Sequence, residues 1–598
     1  MAGSHAVAAL LGLLGLLTAG SGVDTDVVVY GGTPAGVAAA ITAATGGAGH
    51  HPGQPGGNNG TVSVTLLVEG WHVGGMMSGG LGWDDVYPAD RVTPAELAPV
   101  YGTQGLYARF TAAVAAHYAA ISAEALALSN GGTRHEPHIA EAIFLKMLAE
   151  ANVTDIRYGA ELTAVATTQT QPQTNHTHTH THTTLADSAV PWAISSISAT
   201  LRGPPGAAPA TTATTATTTT ITASRFVDAS YLGDLLAMAG AGWVMGREGR
   251  REFGELNAGV AFTNHAPGGG SIFLGGSTGA ASPRIPAMTW RMCFTTNASN
   301  RVGLARPPPG YNRTLYLGYV DDVTAGRSTT IFSAWSGPRA LPPAGTKFDM
   351  NCNPAHLGFI WAGPEKEALV TANASRRAAI IGRFRGMALG LLYFQQNDPA
   401  VAPAERAANR QYGLCADEFG DTGHFPHQLY IREARRLRVP DMFTERDMVP
   451  SRPGGRPPLR PDSVAVGTFP IDSFPCSEEK PVAMDGTSLE GYIGMQSAMV
   501  AANTIPVSAM LSPNVTNLVV PVAVGASHVA FSAVRLEPTW MLLGSAAGVL
   551  THLSLRATRG RQRYVRQVSA FPSFILAALS WICVGIPRRR VLAPPVCA

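Results

Sequence analysis

The stretch DVVVYGGTPAGVAAAITAAT at residues 26–45 decides the fold of this chain. DVVVY at 26–30 predicts a buried β-strand, and the alanine-rich run from Ala35 to about Thr45 predicts a helix. The turn between them, Gly31-Gly32-Thr33-Pro34-Ala35-Gly36, has glycine at the first and third positions of a dinucleotide-binding turn and Thr33 at the second. Gly31 permits the tight turn, Gly36 permits close packing of helix on strand, and the Thr33 hydroxyl could donate to a phosphate oxygen. Backbone N–H groups at the start of the helix can receive a pyrophosphate.

The distance from this turn to Glu69 supports the same interpretation. An acidic residue that binds ribose hydroxyls is expected about 20 residues after the glycines. Glu69 lies 33 residues beyond Gly36, and 18 remain once the 15-residue low-complexity insertion GGAGHHPGQPGGNNG at 46–60 is removed. Glu69 also closes the apolar run VSVTLLVE at 62–69, so we expect it at the carboxyl end of a second strand. The pattern predicts the opening of a Rossmann unit; the alternative is that Glu69 is only a solvated strand end.

A second glycine-rich segment, WHVGGMMSGG at 71–80, follows directly. Without side chains, its glycine pairs can lie close to a pyrophosphate or a flavin. Together, VVVYGGTPAG and LLVEGWHVGGMMSGGLGWDD resemble the FAD-dependent oxidoreductase family, some of whose bacterial members carry the label xanthan lyase-like; the family accepts threonine or serine at the position of Thr33. The resemblance runs from about Asp24 to about Leu553 and includes VDASYLGDLLAMAG at 227–240, KFDMNC at 347–352, QLYIREARRL at 428–437 and NLVVPVAVGASHVAFSAVRLEPTWMLLGSAAG at 517–548.

The resemblance implies an α/β fold: a three-layer FAD/NAD(P)-binding Rossmann-like domain with a second, substrate domain of α+β type. It implies FAD as cofactor and hydride transfer to or from the flavin, with an unidentified small molecule as substrate. In the last block, a helix beginning near Pro538 is expected to point its positive end at the flavin, with Gly544, Ala547 and Gly548 allowing close packing. The residues expected at FAD are Gly31, Gly32, Thr33, Pro34, Ala35, Gly36, Glu69, Gly74, Gly75, Met76, Ser78 and Gly79.

The catalytic candidates are histidines that could take a proton and arginines that could hold an anion. His424 and His427 in DTGHFPHQLYIRE, and His528 in GASHVAFS, could accept the proton that leaves an alcohol or amine during hydride transfer. Arg432 and Arg535 could hold a carboxylate or another anion. The structural alternatives are a histidine satisfied within the core and a charged helix face formed by Arg432, Glu433, Arg435 and Arg436.

Composition favours small-molecule chemistry. The 598 residues predict two or three packed units, and 43 basic against 40 acidic residues leave no footprint of nucleic-acid binding. The segment GGGSIFLGG at 268–276 has no preceding strand and is predicted to be a loop, so no nicotinamide site is expected. No metal site is predicted, because the Thr/His tract with His176, His178, His180 and His182 lacks typical ligand spacing. The absence of a C-x-x-C motif argues against disulfide reductase chemistry, while the disulfide pairing stays open for Cys293, Cys352, Cys415, Cys476, Cys583 and Cys597.

The ends of the chain predict a secreted protein. Residues 1–23 have the apolar run and small residues of a signal peptide, although no Lys or Arg precedes the run; an N-terminal strand or anchor is the alternative. Asn-x-Ser/Thr sequons suit a secreted glycoprotein. In the divergent tail 554–598, the apolar segment 568–586 has the layout of a membrane anchor, and an unrelated tail is the alternative. The oligomeric state is not predicted.

The domain prediction places FAD binding in residues 24–235 and in the return segment 505–553, with low-complexity insertions at 46–60 and 168–220. The substrate domain is predicted at 236–504. A different class of function stays open alongside the oxidoreductase: a secreted, glycan-associated protein that binds flavin without redox turnover. A polysaccharide lyase would rest on the family label alone.

Overall fold

A computed structural model describes residues 23–47, 62–85, 105–169, 191–203, 217–266, 270–326, 328–333, 337–350, 363–452, 455–479, 489–494 and 502–558. The signal peptide apart from Val23, the four histidines of the Thr/His tract and the candidate membrane segment 568–586 lie outside these ranges. Within these ranges, none of the helices has the length and apolar character needed to cross a bilayer.

The strands are β1 (Val23–Tyr30), β2 (Val64–Leu67), β3 (Asp155–Arg157), β4 (Ala160–Gln169), β5 (Trp192–Leu201), β6 (Thr217–Asp228), β7 (Trp243–Val244), β8 (Thr263–Ala266), β9 (Gly270–Phe273), β10 (Met292–Thr295), β11 (Arg301–Val302), β12 (Ser328–Thr329), β13 (Phe332–Ser333), β14 (Arg339–Leu341), β15 (Lys347–Met350), β16 (Gly413–Cys415), β17 (Arg436–Leu437), β18 (Ser463–Gly467), β19 (Asn503–Pro506) and β20 (Leu518–Val519).

The α-helices are α1 (Pro34–Thr45), α2 (Gly75–Ser78), α3 (Leu106–Ala119), α4 (Ala123–Leu128), α5 (Pro137–Glu150), α6 (Asp234–Met238), α7 (Arg250–Phe253), α8 (Gly318–Thr324), α9 (Glu365–Thr371), α10 (Ala374–Asn397), α11 (Pro403–Asn409), α12 (His528–Val534) and α13 (Glu537–Thr558).

The largest sheet has the strand order of a Rossmann domain. Parallel strands follow the order β3-β2-β1-β6, and β20 pairs in parallel with the end of β6. The predicted Rossmann-like α/β fold is confirmed by this arrangement. The sheet continues with β5, which pairs antiparallel with the first half of β6, and with β4, which pairs antiparallel with β5. The last residue pair is Gln169 with Trp192 in the β4–β5 hairpin and Leu201 with Thr217 in the β5–β6 hairpin.

These hairpins correct one prediction. The range 168–220 was expected to be a low-complexity insertion, but it contains all of β5 and the first residues of β6. Alternating apolar residues explain the difference, because Ile197 and Ala199 are buried on one face of β5. The threonine-rich composition concealed the strand start, although threonine suits a strand.

Local chemistry explains helix α1. The Thr33 hydroxyl accepts a hydrogen bond from the Gly36 N–H, Pro34 occupies the first helical turn, and Gly46 ends the helix in a left-handed conformation with φ +69°. Because α1 runs antiparallel to β1, Thr45 and the start of β2 lie at the opposite end of the strands from the glycine turn. The helix is buried between the sheet and α13, which packs along it.

The residues between β6 and β20 include a second, antiparallel sheet with the order β11-β16-β10-β15-β14, together with the long helix α10. Two local expectations fail here. GGGSIFLGG contains β9, which pairs with β8, instead of being only a loop. QLYIREARRL is extended and ends in β17, so its buried charged residues form no helix face. The proposed domain boundaries stay a prediction.

Candidate functional site

The glycine turn presents unpaired backbone donors at the start of α1. Gly31 has φ +112°, and a Cβ at Gly31 would lie 2.5 Å from the backbone of Ala229. A Cβ at Gly36 would lie 1.9 Å from the Gly31 carbonyl oxygen, which confirms the expected close packing. Within the described ranges, the buried N–H groups of Gly32, Thr33 and Ala35 donate to no protein acceptor. Such donors at a helix N-terminus fit an anionic pyrophosphate.

The Thr33 side chain has a structural role. Its hydroxyl donates to the Ala229 carbonyl at 2.8 Å and accepts from the Gly36 N–H at 3.1 Å. The expectation that this hydroxyl donates to a phosphate oxygen is wrong, because its single proton is already used in tying the turn to the end of β6. Only the backbone N–H of Thr33 remains for a ligand.

Glu69 lies just beyond the carboxyl end of β2, beside the turn. The Tyr30 hydroxyl donates to Glu69 Oε1 at 3.3 Å. The Glu69 side chain is exposed, but the protein crowds around it, and reduced hydration together with the charges of Asp234 and Asp228 raises its pKa to about 8. The location matches that of a ribose-binding carboxylate in a Rossmann unit.

The second glycine segment packs directly against the turn. The Gly74 N–H donates to the Gly32 carbonyl at 2.7 Å, and Gly74 and Gly75 have φ values of +95° and +49°. The Ser78 hydroxyl donates to the Val73 carbonyl at 2.6 Å, and Met76 is buried. Because these side chains are used inside the protein, the segment offers a ligand its backbone. A Cβ at Gly79 would lie 2.4 Å from Gln428 Cβ, so Gln428 covers this end of the segment.

The start of α13 meets the glycine segment through Tyr231. The Tyr231 hydroxyl accepts from the Met76 N–H at 2.9 Å and donates to Glu537 Oε1 at 2.7 Å. Burial, with Asp84 and Asp85 nearby, raises the pKa of Glu537 well above its usual range. A Cβ at Gly75 would lie 2.3 Å from the Tyr231 hydroxyl and 3.0 Å from Pro34 Cδ. The N-termini of α1 and α13 therefore converge on the same glycines, and the expected helix start near Pro538 is confirmed.

His72 of this segment stacks on a second histidine, His427. The rings of His72 and His427 are 4.0 Å apart between centroids and nearly parallel. Burial opposes a charge on His72, but hydrogen bonds to Glu141 and Asp421, both at 2.9 Å, outweigh it and raise the pKa of His72 to about 9. Burial and the charge on His72 lower the pKa of His427 well below its usual range. Neither nitrogen of His427 has a hydrogen-bond partner within the described ranges, and both are shielded from solvent. The lowered pKa favours the neutral imidazole at His427, whose two ring nitrogens are not bonded to any described residue.

The other catalytic candidates are occupied within the protein. His528 lies in the first turn of α12, where its ring bonds Ser473 Oγ at 3.1 Å and Glu433 Oε2 at 2.8 Å. Arg535 donates to the Tyr430 hydroxyl and to Asp472. These contacts favour the structural alternative for both residues. Two further candidates contact backbone carbonyls, Arg432 that of Ala287 and His424 that of Glu418.

One cluster has the residue types of a metal site. Among the described residues, ligand atoms of Glu136, His138 and Glu418 lie within 4.8 Å of one another. The Lys347 ammonium already bonds this cluster, at 2.5 Å from Glu136 and 3.0 Å from Glu418. A lysine cation therefore already pairs with the carboxylates that a metal ion would need.

Sequence reasoning missed the supporting residues of the site. His72 and Glu537 stand inside the stretches that carry the family resemblance, so their position was a usable signal. Tyr231 likewise stands in VDASYLGDLLAMAG. Glu141 and Asp421 carry no such signal, because only folding brings them to His72.

The chain belongs to the FAD dependent oxidoreductase family, which it matches over residues 26–190 and 196–570. The glycine turn, Glu69 and the start of α13 in its Rossmann-like domain fit FAD as the cofactor. Comparison with curated proteins gives no match.

Among solved structures, the chain is similar to the flavin-dependent monooxygenase PieE in complex with FAD and substrate, at 14% identity and a TM-score of 0.19, over 40% of this chain and 34% of that one. It is similar to the glycerol-3-phosphate dehydrogenase from Bacillus halodurans complexed with FAD, at 13% identity and a TM-score of 0.20, over 42% of this chain and 45% of that one. It is also similar to 3-ketosteroid delta1-dehydrogenase from Sterolibacterium denitrificans in complex with 1,4-androstadiene-3,17-dione, at 10% identity and a TM-score of 0.27, over 88% of this chain and 99% of that one. The chain thus spans less than half the length of the first two.

Proposed function

We propose that this enzyme transfers hydride between FAD and a small molecule, with His427 as the group that takes or returns the accompanying proton. The observation that carries this proposal is the pair of unpartnered ring nitrogens on a neutral imidazole beside the glycine segment. A buried imidazole without hydrogen-bond partners is costly unless a ligand completes it. FAD, when bound, supplies the centre that accepts or returns the hydride.

The protein's own groups fit this division of work. The unpaired N–H groups of Gly32, Thr33 and Ala35 bind the pyrophosphate, and Glu69 accepts from ribose hydroxyls. The N-terminus of α13 supplies a partial positive charge near the same glycines. His427 receives a proton at one ring nitrogen when an alcohol or amine substrate is oxidised. Burial, together with the charge on His72, lowers the pKa of His427 and keeps it unprotonated beforehand, so that it is ready to act as a base.

The test is a substrate screen on the purified protein, following loss of the flavin absorbance under anaerobic conditions. A yellow protein whose flavin bleaches with an alcohol or amine supports the proposal. A yellow protein that no candidate donor reduces, even though dithionite reduces it, favours the alternative of a flavin-binding protein without turnover. A colourless protein that binds no added FAD contradicts the cofactor site itself.

His427→Gln tests the proton acceptor separately, because glutamine keeps polar atoms but cannot take the proton. Turnover should fall by a factor on the order of 10² to 10⁴ with FAD content unchanged. His424→Gln is the matched control, since His424 lies three residues before His427 and its ring bonds the Glu418 carbonyl. Equal losses in the two variants would contradict the role of His427.

A further inference from the structure

Cys293 and Cys415 face each other across two neighbouring strands. The antiparallel register of β10 and β16 pairs Phe294 with Leu414 and Thr295 with Gly413, which puts the two cysteines opposite each other at the end of the ladder. Their sulfur atoms are 2.9 Å apart. Both residues are buried, with 1% and 0% of their surface exposed.

This separation is too short to be explained by two thiols in contact. A thiol is a weak hydrogen-bond donor and acceptor, so it gains little from such a close approach. A disulfide bond is about 2.05 Å long, so the sulfurs need to move together by only about 0.9 Å. In the described part of the chain, neither sulfur has another hydrogen-bond partner, and Leu341, Phe419 and Trp83 pack around the pair.

We propose that Cys293 and Cys415 are joined by a disulfide bond in the native protein. Both S–H bonds break and one S–S bond forms, and two protons and two electrons pass to an oxidant, which is a small-molecule disulfide or a thiol oxidase. With oxidised glutathione, the balance is one protein disulfide and two reduced glutathione molecules. The expected secretory route would provide such an oxidant.

The bond would hold together two segments that flank the glycine segment. Immediately before β10, the carbonyl oxygen of Arg291 would lie 1.9 Å from a Cβ at Gly80. After β16, the chain continues to Phe419, whose ring meets the edge of His427, and to Gln428, which lies against Gly79. A covalent link between the strands fixes both approaches to the cofactor segment. The proposal itself does not depend on the proposed function.

Burial makes this a structural bond rather than a switch. Thiol–disulfide exchange requires a thiolate to reach a sulfur atom, and neither sulfur is accessible in the folded protein. Burial also raises the pKa of the Cys293 thiol well above its usual range, which disfavours the thiolate. The bond should therefore form during folding and should resist reductants until the protein unfolds.

The direct test is peptide mapping of the full chain, produced through an oxidising secretory pathway. The protein is denatured in the presence of an alkylating agent, digested with trypsin without reductant and analysed by mass spectrometry. Trypsin places Cys293 in peptide 292–301 and Cys415 in peptide 411–432, each of which contains a single cysteine. We expect one linked species that separates on reduction, analysed after deglycosylation because peptide 292–301 carries the sequon at Asn297. Alkylated Cys293 and Cys415, or either one linked elsewhere, would overturn the proposal.

A second measurement uses variants. The double variant Cys293→Ser/Cys415→Ser should have a Tm roughly 5 °C below that of the wild type. A reductant should lower the Tm of the double variant less than it lowers the Tm of the wild type. Cys476→Ser is the control, because Cys476 is also buried but donates to the Phe474 carbonyl and has no sulfur neighbour among the described residues. This variant should keep the linked peptide and the full response to reductant. An equal response in the double variant and the wild type would contradict a stabilising bond.

Discussion

Gly544→Ala should destabilise the protein, although alanine is normally the better helix residue. In an open helix, the change from glycine to alanine stabilises by about 1 kcal/mol. At Gly544, the new Cβ would lie 2.2 Å from the Ala35 carbonyl oxygen and 2.7 Å from Ala35 Cα, whereas ordinary contact begins at 3.4 Å. The obstacle is backbone, so α13 and α1 must separate by about 1 Å, and overpacking of this kind costs about 1–3 kcal/mol. Set against the gain in helix propensity, this leaves an expected net loss of up to about 2 kcal/mol.

The same change should weaken FAD binding, because Ala35 carries one of the three unpaired N–H groups. A shift of the first turn of α1 misaligns these donors, and a tenfold rise in the FAD Kd corresponds to about 1.4 kcal/mol. Gly548→Ala is a useful comparison. Its Cβ would meet Thr42 Oγ1 at 2.1 Å and the Ala39 carbonyl at 2.3 Å, farther from the turn, so stability should fall with a smaller effect on FAD.

Denaturant unfolding and FAD titration on the same preparations provide the assay. Gly382→Ala is the control: Gly382 lies exposed within α10, and a Cβ there would meet nothing within 4 Å. This control should be stabilised by up to about 1 kcal/mol. If Gly544→Ala is stabilised as well, the close approach of α13 and α1 is wrong. If it is destabilised but keeps the wild-type FAD Kd, the role of the α1 turn in binding is wrong.

Three further predictions concern individual side chains. His72→Asn removes the cation next to His427 and so raises the pKa of His427; the acid limb of the pH–rate profile should move to higher pH, and activity at pH 6 should fall relative to activity at pH 8. If the acid limb does not move, the charge on His72 does not control the protonation of His427. Glu69→Ala should reduce FAD content after gel filtration, and full retention would argue against ribose binding. Arg535→Met should lower stability by about 3 kcal/mol with an unchanged flavin potential, since its partner Asp472 is left without the cation; a shifted potential at normal stability would restore Arg535 as a site residue.

The Rossmann half of the molecule was readable from sequence because its signals are local. The apolar run before Gly31, the glycine turn and the closing position of Glu69 each depend on a few neighbouring residues. Strand β5 was missed because its alternation is carried by few apolar residues within a threonine-rich range. Local composition can hide a strand when the pairing partner provides most of its stability.

The candidate site was only partly readable, for a related reason. His427 could be nominated from its residue type, but what distinguishes it from His424 and His528 is the set of partners that folding brings to each ring. His72 acquires its charge from Glu141, 69 residues away, and from Asp421, 349 residues away. No spacing rule connects such distant residues, so the electrostatic pair emerges only in three dimensions.

The paired strand ends have a practical consequence for protein engineering. Gln169 pairs with Trp192 at the end of the β4–β5 hairpin, and Leu201 pairs with Thr217 at the end of the β5–β6 hairpin. Helix α1 ends at the opposite end of the strands from the cofactor turn. The natural sequence already has low-complexity residues at three connections, from α1 to β2, from β4 to β5 and from β5 to β6. The strand register is set by the residues on either side of each connection. Because the entropy of closing a loop grows slowly with its length, a reporter domain or an affinity tag inserted there should leave folding intact. These connections are therefore the preferred places for labelling the enzyme.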